Sequence, residues 1–433
     1  MDKTEVGAPP TITKIFKYIG IVILVIILAI SIYLIAKKLS TSYYKAVNTI
    51  PTPENNALIV ANQSALNANA YNDRSVVPVT DLGDGPEDRR LINYNMLGCR
   101  ITGYIGPAIN GIFDENVAVA YAIKAGCRVF LLPIGTMTGY ESPVLVARAL
   151  NGDKISNNFG TIRRVCEALA EHAPLRGVGA EPIIIILYFE ELPGKNPYDP
   201  VSVKFMRDVA AGLAPLKRRM LGMTPQGDYR RQAMQDVMML RDRTEFDGKV
   251  IVMTNVDTKA FREPTFSTES ALDLDLLVHA RLYSETSTNL GITARPDQAK
   301  VITPRIETFD YFNSIPDNNL PGEVAKSKVQ WTVALNPNIL ASPPKGAELK
   351  KLLDERGVSC LMVDICSNPE ALFKAVGDDG KPVASVISKK YFGSCGFRQK
   401  PKSLRYKQPE PIELQKLNKA ANANGGGVIA PKV

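Results

Sequence analysis

Short unbroken apolar runs alternate along most of this chain with segments whose apolar residues recur at helical spacing. In AYAIKAGCRVFLLPI the Ala-rich residues up to Ala125 predict a helix, and Gly126 supplies the positive-φ-tolerant residue that a helix C-cap prefers. Arg128 to Ile134 then predict a strand buried on both faces. Thr161 to His172 sets Val165 and Leu169 on one helical face, and Pro182 to Phe189, PIIIILYF, is a second apolar strand. Helical patterns follow at 201–223 and 229–243, then a strand at Val250 to Met253. A strand-like lead-in at 93–106 comes before all of these. Leu274 to Leu282, Gln330 to Leu335 and Gly357 to Cys366 predict three further strands, the last after a helix at Glu348 to Arg356. Repeated units of helix and buried strand build barrels or doubly wound α/β sheets.

The N-terminal pattern is different. Tyr18 to Ala36, YIGIVILVIILAISIYLIA, carries no charge and no polar face, and at about 1.5 Å per residue it matches the roughly 30 Å hydrocarbon core of a bilayer. It predicts one transmembrane helix, retained as an anchor because no small-x-small cleavage pattern follows. Lys3, Lys14 and Lys17 precede the span and Lys37, Lys38 and Lys45 follow it, so the positive-inside count ties and leaves the orientation open. Asn, Thr, Pro, Ser and Asp then dominate a stalk, and the Gly/Asn/Pro-rich end reads as extended or disordered. The expected organisation is a tail (1–17), a transmembrane helix (18–36), an irregular stalk (37–90), a barrel (91–407) and a second tail (408–433).

Composition adds limits rather than a function. The net charge of +8, from 52 basic and 44 acidic residues, comes without long Lys/Arg blocks, so no specific nucleic-acid partner is expected. Six cysteines without a CxxC pair, and only two histidines, form neither a zinc pattern nor a disulfide framework. Walker A, GxSxG, HExxH and dinucleotide fingerprints are absent. Cys166 and His172 are six positions apart on one predicted helix, which turns them to different faces and argues against a Cys–His nucleophile.

Several of these stretches together bring a family to mind. AYAIKAGCRVFLLPI resembles the segment of eukaryotic-type phosphoinositide-specific phospholipases C in which a helix ends in Gly-Cys-Arg and leads into a catalytic strand. EPIIIILYFEEL, FDGKVIVMTN, DLLVHAR, NPNILASPPKG, GVSCLMVDICSN and GSCGFRQKPKSLR resemble later segments of the same family, in the same order. The resemblance covers roughly 91–406. It implies a distorted TIM (β/α)8 barrel, with a first half at 91–257, a linker at 258–270 and a second half at 271–407.

The family's chemistry uses two histidines, and carboxylates with an Asn that hold calcium. By the resemblance, the first histidine falls near Arg100, the paired carboxylates on Leu131 and Pro133, and the second histidine on Ala147. Its phosphate-reading lysines fall on Met253 and Asn255 and its substrate arginine on Ala341, while His172 and His279 match positions that are not catalytic. Only Glu190 and Glu191 stand where a calcium-binding Glu is expected, and they remain as candidate ligand-binding residues beside the plainer reading of a charged loop start.

The expectation is therefore a membrane-anchored pseudoenzyme without cofactor or small-molecule substrate, held in a bilayer by residues 18–36 and working through protein partners. Such reuse resembles membrane-anchored proteins of large DNA viruses with an internal membrane, which implies a minor capsid or membrane-bridging role. Two other readings stay open: a divergent calcium-using phosphodiesterase, and a non-catalytic lipid-headgroup binding module.

Overall fold

The structure is a computed structural model that describes residues 18–34, 88–105, 111–124, 126–137, 140–148, 155–175, 180–194, 199–220, 238–256, 274–284, 304–335, 350–363 and 397–407, with a few isolated positions between. The chain divides into two compact units, Met1–Ile50 and Pro51–Val433.

In the first unit, residues 18–34 form a helix in which Tyr18, Leu24 and Tyr33 are exposed like the other large apolar side chains. The described helix covers 17 of the 19 residues of the expected span. Among the described residues no helix is long and apolar enough to cross a membrane. The last two residues of the expected span, most of the stalk, and the expected linker except Thr258 lie outside the described residues, as does the C-terminal tail.

The second unit is built on eight parallel strands: β1 (Tyr94–Cys99), β2 (Val129–Met137), β3 (Ile183–Phe189), β4 (Val250–Thr254), β5 (Ala280–Arg281), β6 (Arg305–Thr308), β7 (Thr332–Leu335) and β8 (Cys360–Val363). Their ladder runs β5-β4-β3-β2-β1-β8-β7-β6. Tyr283, just past β5, closes it onto β6: its N–H donates to Pro304 O at 3.1 Å, and its carbonyl accepts from Ile306 N at 2.9 Å. Both edges of the sheet are thereby used and the α/β unit is a barrel.

Alternation along the strands sorts side chains into two cores. Met96, Val129, Leu131, Ile184, Ile186, Ile251, Met253, Ile306, Val333, Cys360 and Met362 belong to one cluster, which fills the barrel interior. Leu97, Phe130, Leu132, Ile185, Leu187, Val252 and Leu361 belong to the other, which receives α1 (Glu115–Lys124), α2 (Ile162–His172) and α3 (Pro200–Gly212). The absence of a side chain at Gly98 makes room for Met362 inside the barrel, since a Cβ there would clash with Met362 Sδ.

The Gly-Cys-Arg joint follows its sequence signal. Gly126 takes φ +90°, with Gly126 N–H donating to Ile123 O at 2.9 Å and Cys127 N–H to Ala122 O at 2.8 Å, the paired bonds that close a helix C-terminus. Arg128 adds donors to Ile123 O and Cys127 O and pairs with buried Glu181 at 3.2 Å. Thr161 caps α2 by accepting from Arg164 N, and Asp199 caps α3 through Val201 N.

Two expectations need correction. The strand expected over Leu274 to Leu282 is a helical turn, Leu274–Leu277, followed by β5. Leu274, Leu277 and Val278 all reach the outer core, a helical spacing, and Asp275 in that turn accepts the Thr258 hydroxyl at 2.9 Å. The helix expected at 229–243 is 3-10 turns in its described part, Met238–Leu240 and Arg243–Phe246, because the Leu91 and Arg243 N–H groups bond between this segment and the lead-in to β1. The helix expected at Glu348 to Arg356 is present, helical at Glu348 and Lys350 and widening to π-type over Lys351–Glu355.

Candidate functional site

The C-terminal ends of parallel barrel strands converge on one mouth, the end at which side chains from several strands can act together. Arg100 follows β1 and is buried, its backbone N–H held by Val363 O at 3.1 Å. Leu131 and Pro133 lie in phase with Val129 on β2. Tyr188 and Glu190 continue the inward phase of Ile184 and Ile186 on β3. Glu190 N–H extends the ladder to Ile134 O at 2.9 Å.

These residues form an electrostatic cluster completed by Arg148, from the segment after the antiparallel strand Tyr140–Leu145. Arg148 Nε is 3.3 Å from Glu190 Oε2, and its Nη2 is 3.1 Å from Glu191 Oε1. Glu191 Oε1 also accepts from Thr136 N at 3.1 Å and from Thr136 Oγ1 at 2.7 Å. Glu190 keeps a quarter of its side-chain surface accessible. Even so, atoms crowding its carboxyl make burial the largest influence, and its pKa is raised to about 7 against the opposing pull of Arg148 and Arg100, with Glu191 adding to the rise. Burial, then the Glu190 charge, holds the Tyr188 phenol well above its ordinary value, while Arg100 pulls the other way. A carboxyl poised near neutrality beside a phenol and two guanidiniums could hold or pass a proton, or meet an anion.

The positions singled out in the sequence part company here. Arg100, Leu131 and Pro133 are gathered at the mouth with Glu190 and Glu191, whereas Ala147 turns into the outer core. Met253 fills the barrel interior. Asn255 is clipped to β3, accepting from Phe189 N at 2.8 Å and donating to Phe189 O at 3.0 Å. Ala341 lies outside the described residues. His172 meets Asn116 Oδ1 at 2.5 Å on the outer helices, and His279 Nδ1 accepts the Val252 N–H at 3.0 Å. Cys99, Cys127, Cys166 and Cys360 are buried, and burial raises the pKa of Cys166 and Cys360.

Arg148 is the member that sequence reasoning missed. Its one signal is chemical: two adjacent carboxylates at a strand exit need a cation, and Arg148 is the residue after the position assigned to the second histidine.

Among the described residues no group of three or more His, Cys, Asp or Glu side chains could hold a metal ion. A calcium ion asks for six or more oxygens. Leu131 and Pro133 offer none from their side chains, and Glu190 and Glu191 are bridged by Arg148, so the described residues at the mouth do not fit that ion.

No family model matches the sequence, and no curated protein matches it. Solved structures similar to the chain include PLC21 of L. pealei, 15% identical with a TM-score of 0.46 over 75% of this chain and 39% of that one. Another is a calcium-dependent phosphoinositol-specific phospholipase C from Pseudomonas sp., 9% identical with a TM-score of 0.40, over 73% of this chain and 98% of that one. A glycerophosphodiester phosphodiesterase from Parabacteroides distasonis is 9% identical with a TM-score of 0.31, over 63% of this chain and 93% of that one. The chain spans about two fifths of the length of the L. pealei protein. Its structural neighbours thus include phosphoinositide phospholipases C and a glycerophosphodiester phosphodiesterase.

Proposed function

We propose that this chain is a membrane-tethered, non-catalytic barrel that serves as a structural and interaction module. One observation carries the reading: the carboxylates of the mouth and the histidines are already engaged. Arg148 bridges Glu190 and Glu191, and the only two histidines of the chain are held elsewhere, one by a backbone N–H and one by Asn116. The tether is residues 18–36, whose described part is an uncharged helix with large apolar side chains exposed. In this role the barrel links a bilayer to a protein layer, as a minor capsid component does in a virion with an internal membrane.

Membrane fractionation of the full chain tests the tether. It resists alkaline extraction with residues 18–36 intact, and release by alkali contradicts the tether. Calorimetric titration with inositol phosphates and with calcium, on the full chain in lipid nanodiscs, tests the mouth, and flat titrations are expected.

One observation favours a second reading, a divergent phosphodiesterase: the Glu190 carboxyl near neutrality beside Tyr188 and Arg100. Saturable headgroup binding lost on Arg148→Ala would favour the lipid-headgroup module instead.

A further inference from the structure

At the opposite end of the barrel the chain is closed by a strap. The strand Phe397–Gln399 pairs antiparallel with the lower half of β1, Tyr94 against Gln399 and Met96 against Phe397, below the point at which β2 joins β1. Lys400 N–H donates to Asn93 O at 2.8 Å, and Tyr406 N–H to Asn93 Oδ1 at 2.7 Å. Phe397 packs edge-on against Tyr94. The strap therefore covers an edge of β1 that no other described strand covers.

Inside this closure sits Lys400, 1% exposed, its Nζ donating to Ser359 Oγ at 2.8 Å and lying 3.4 Å from Ser327 O. The buried and part-buried carboxylates of the surrounding described elements are engaged with other cations, and Glu355, on the turn before β8, is exposed. Asp88 on the lead-in pairs with Arg405 and Asp354 before β8 with Arg398; Glu323, on the helix Leu320–Val329 that carries Ser327, pairs with Arg305 and lies 3.9 Å from Lys326. Lys402 on the strap itself is exposed. Among the described residues, an ammonium at Lys400 would be solvated by two neutral oxygens, and burial lowers its pKa to about 7.

We propose that Phe397–Gln399 with Lys400 is a proton-controlled latch, shut while Lys400 carries a free amine and loosened when Lys400 takes up a proton. The free amine accepts as well as donates, so Ser359 and Lys400 satisfy each other, whereas the ammonium only donates and asks for water. Opening bares the Tyr94–Met96 edge of β1.

The direction follows from which form holds more protons. The open form binds a proton as an ordinary lysine, near 10.5, and the closed form near 7. Closure is therefore strongest above the open value, weakens as pH falls toward 7, and is level below it; the opening constant rises about 50-fold from pH 9 to pH 7 and less than about twofold from pH 7 to pH 6.

Amide hydrogen exchange on the full chain, corrected for the intrinsic pH dependence, tests this in the wild type and in Lys400→Met. Protection of 397–406 and of 94–96 should fall by tens of fold from pH 9 to pH 7 in the wild type, with the β3 amides unchanged, and should be level in Lys400→Met. Equal pH dependence in both proteins, or level protection in the wild type, overturns the latch. Should Lys400→Met not fold, the side-chain NMR titration of Lys400 decides: a midpoint near 7 upholds the proposal and one near 10 ends it.

Discussion

Arg148 and Glu190 face each other across the barrel mouth, 3.3 Å from Nε to Oε2, and the contact does not restore an ordinary carboxylate. Burial outweighs the guanidinium. The folded protein therefore keeps Glu190 protonated over part of the range in which the unfolded chain has lost that proton.

The pH dependence of stability follows. With its folded pKa raised from 4.5 to about 7, Glu190 contributes stability that is full below the unfolded value and is lost as pH rises through 7. Glu190→Gln should flatten the denaturation profile between pH 4.5 and 7 and raise stability above pH 7 by about 1–2 kcal/mol, allowing for partial exposure. Urea titrations at pH 5 and pH 8 check this. Arg148→Met should move the Glu190 midpoint further up in a carboxyl NMR titration, and an unchanged or lower midpoint would mean that Arg148 does not act on it.

A second pair, Arg128 and Glu181, is almost completely buried at 3.2 Å. Removing one partner strands the other, so Glu181→Gln should lower stability by about 3 kcal/mol, while Arg163→Ala, which breaks an exposed pair with Glu167, should change it by less than about 0.5 kcal/mol. Denaturant midpoints of the two variants give the comparison.

Gly98→Ala pushes a methyl group against Met362 Sδ and Cys360 Sγ inside the barrel. Overpacking of this kind should lower stability by about 1–3 kcal/mol. Met362→Ala vacates the space the methyl needs, so the double variant should lose less stability than the sum of the two single losses in thermal unfolding.

His279 serves the backbone. His279→Ala removes the acceptor for the Val252 N–H and leaves a buried donor unpaired, which should lower stability by about 1–3 kcal/mol. Calorimetric unfolding of the variant against wild type measures that loss.

The first half of the barrel was legible in the sequence because its strands are apolar on both faces: AGCRVFLLPI and PIIIILYF became β2 and β3, within a few residues of the expected bounds. β6 was not legible. Arg305–Thr308 reads RIET, and its burial depends on Glu323, eighteen positions later, neutralising Arg305. The strand Phe397–Gln399 is hidden in the same way, since its partner β1 lies three hundred residues earlier. At the mouth, Glu190 and Glu191 were visible as a pair, but the cation that bridges them comes from a segment that only the folded barrel brings near.

The most direct test of the central claim is phosphodiester hydrolysis by the full chain in nanodiscs containing phosphatidylinositol, with and without millimolar calcium. The account predicts product at the level of protein-free nanodiscs in both conditions. Calcium-dependent turnover that Glu190→Gln abolishes would contradict it.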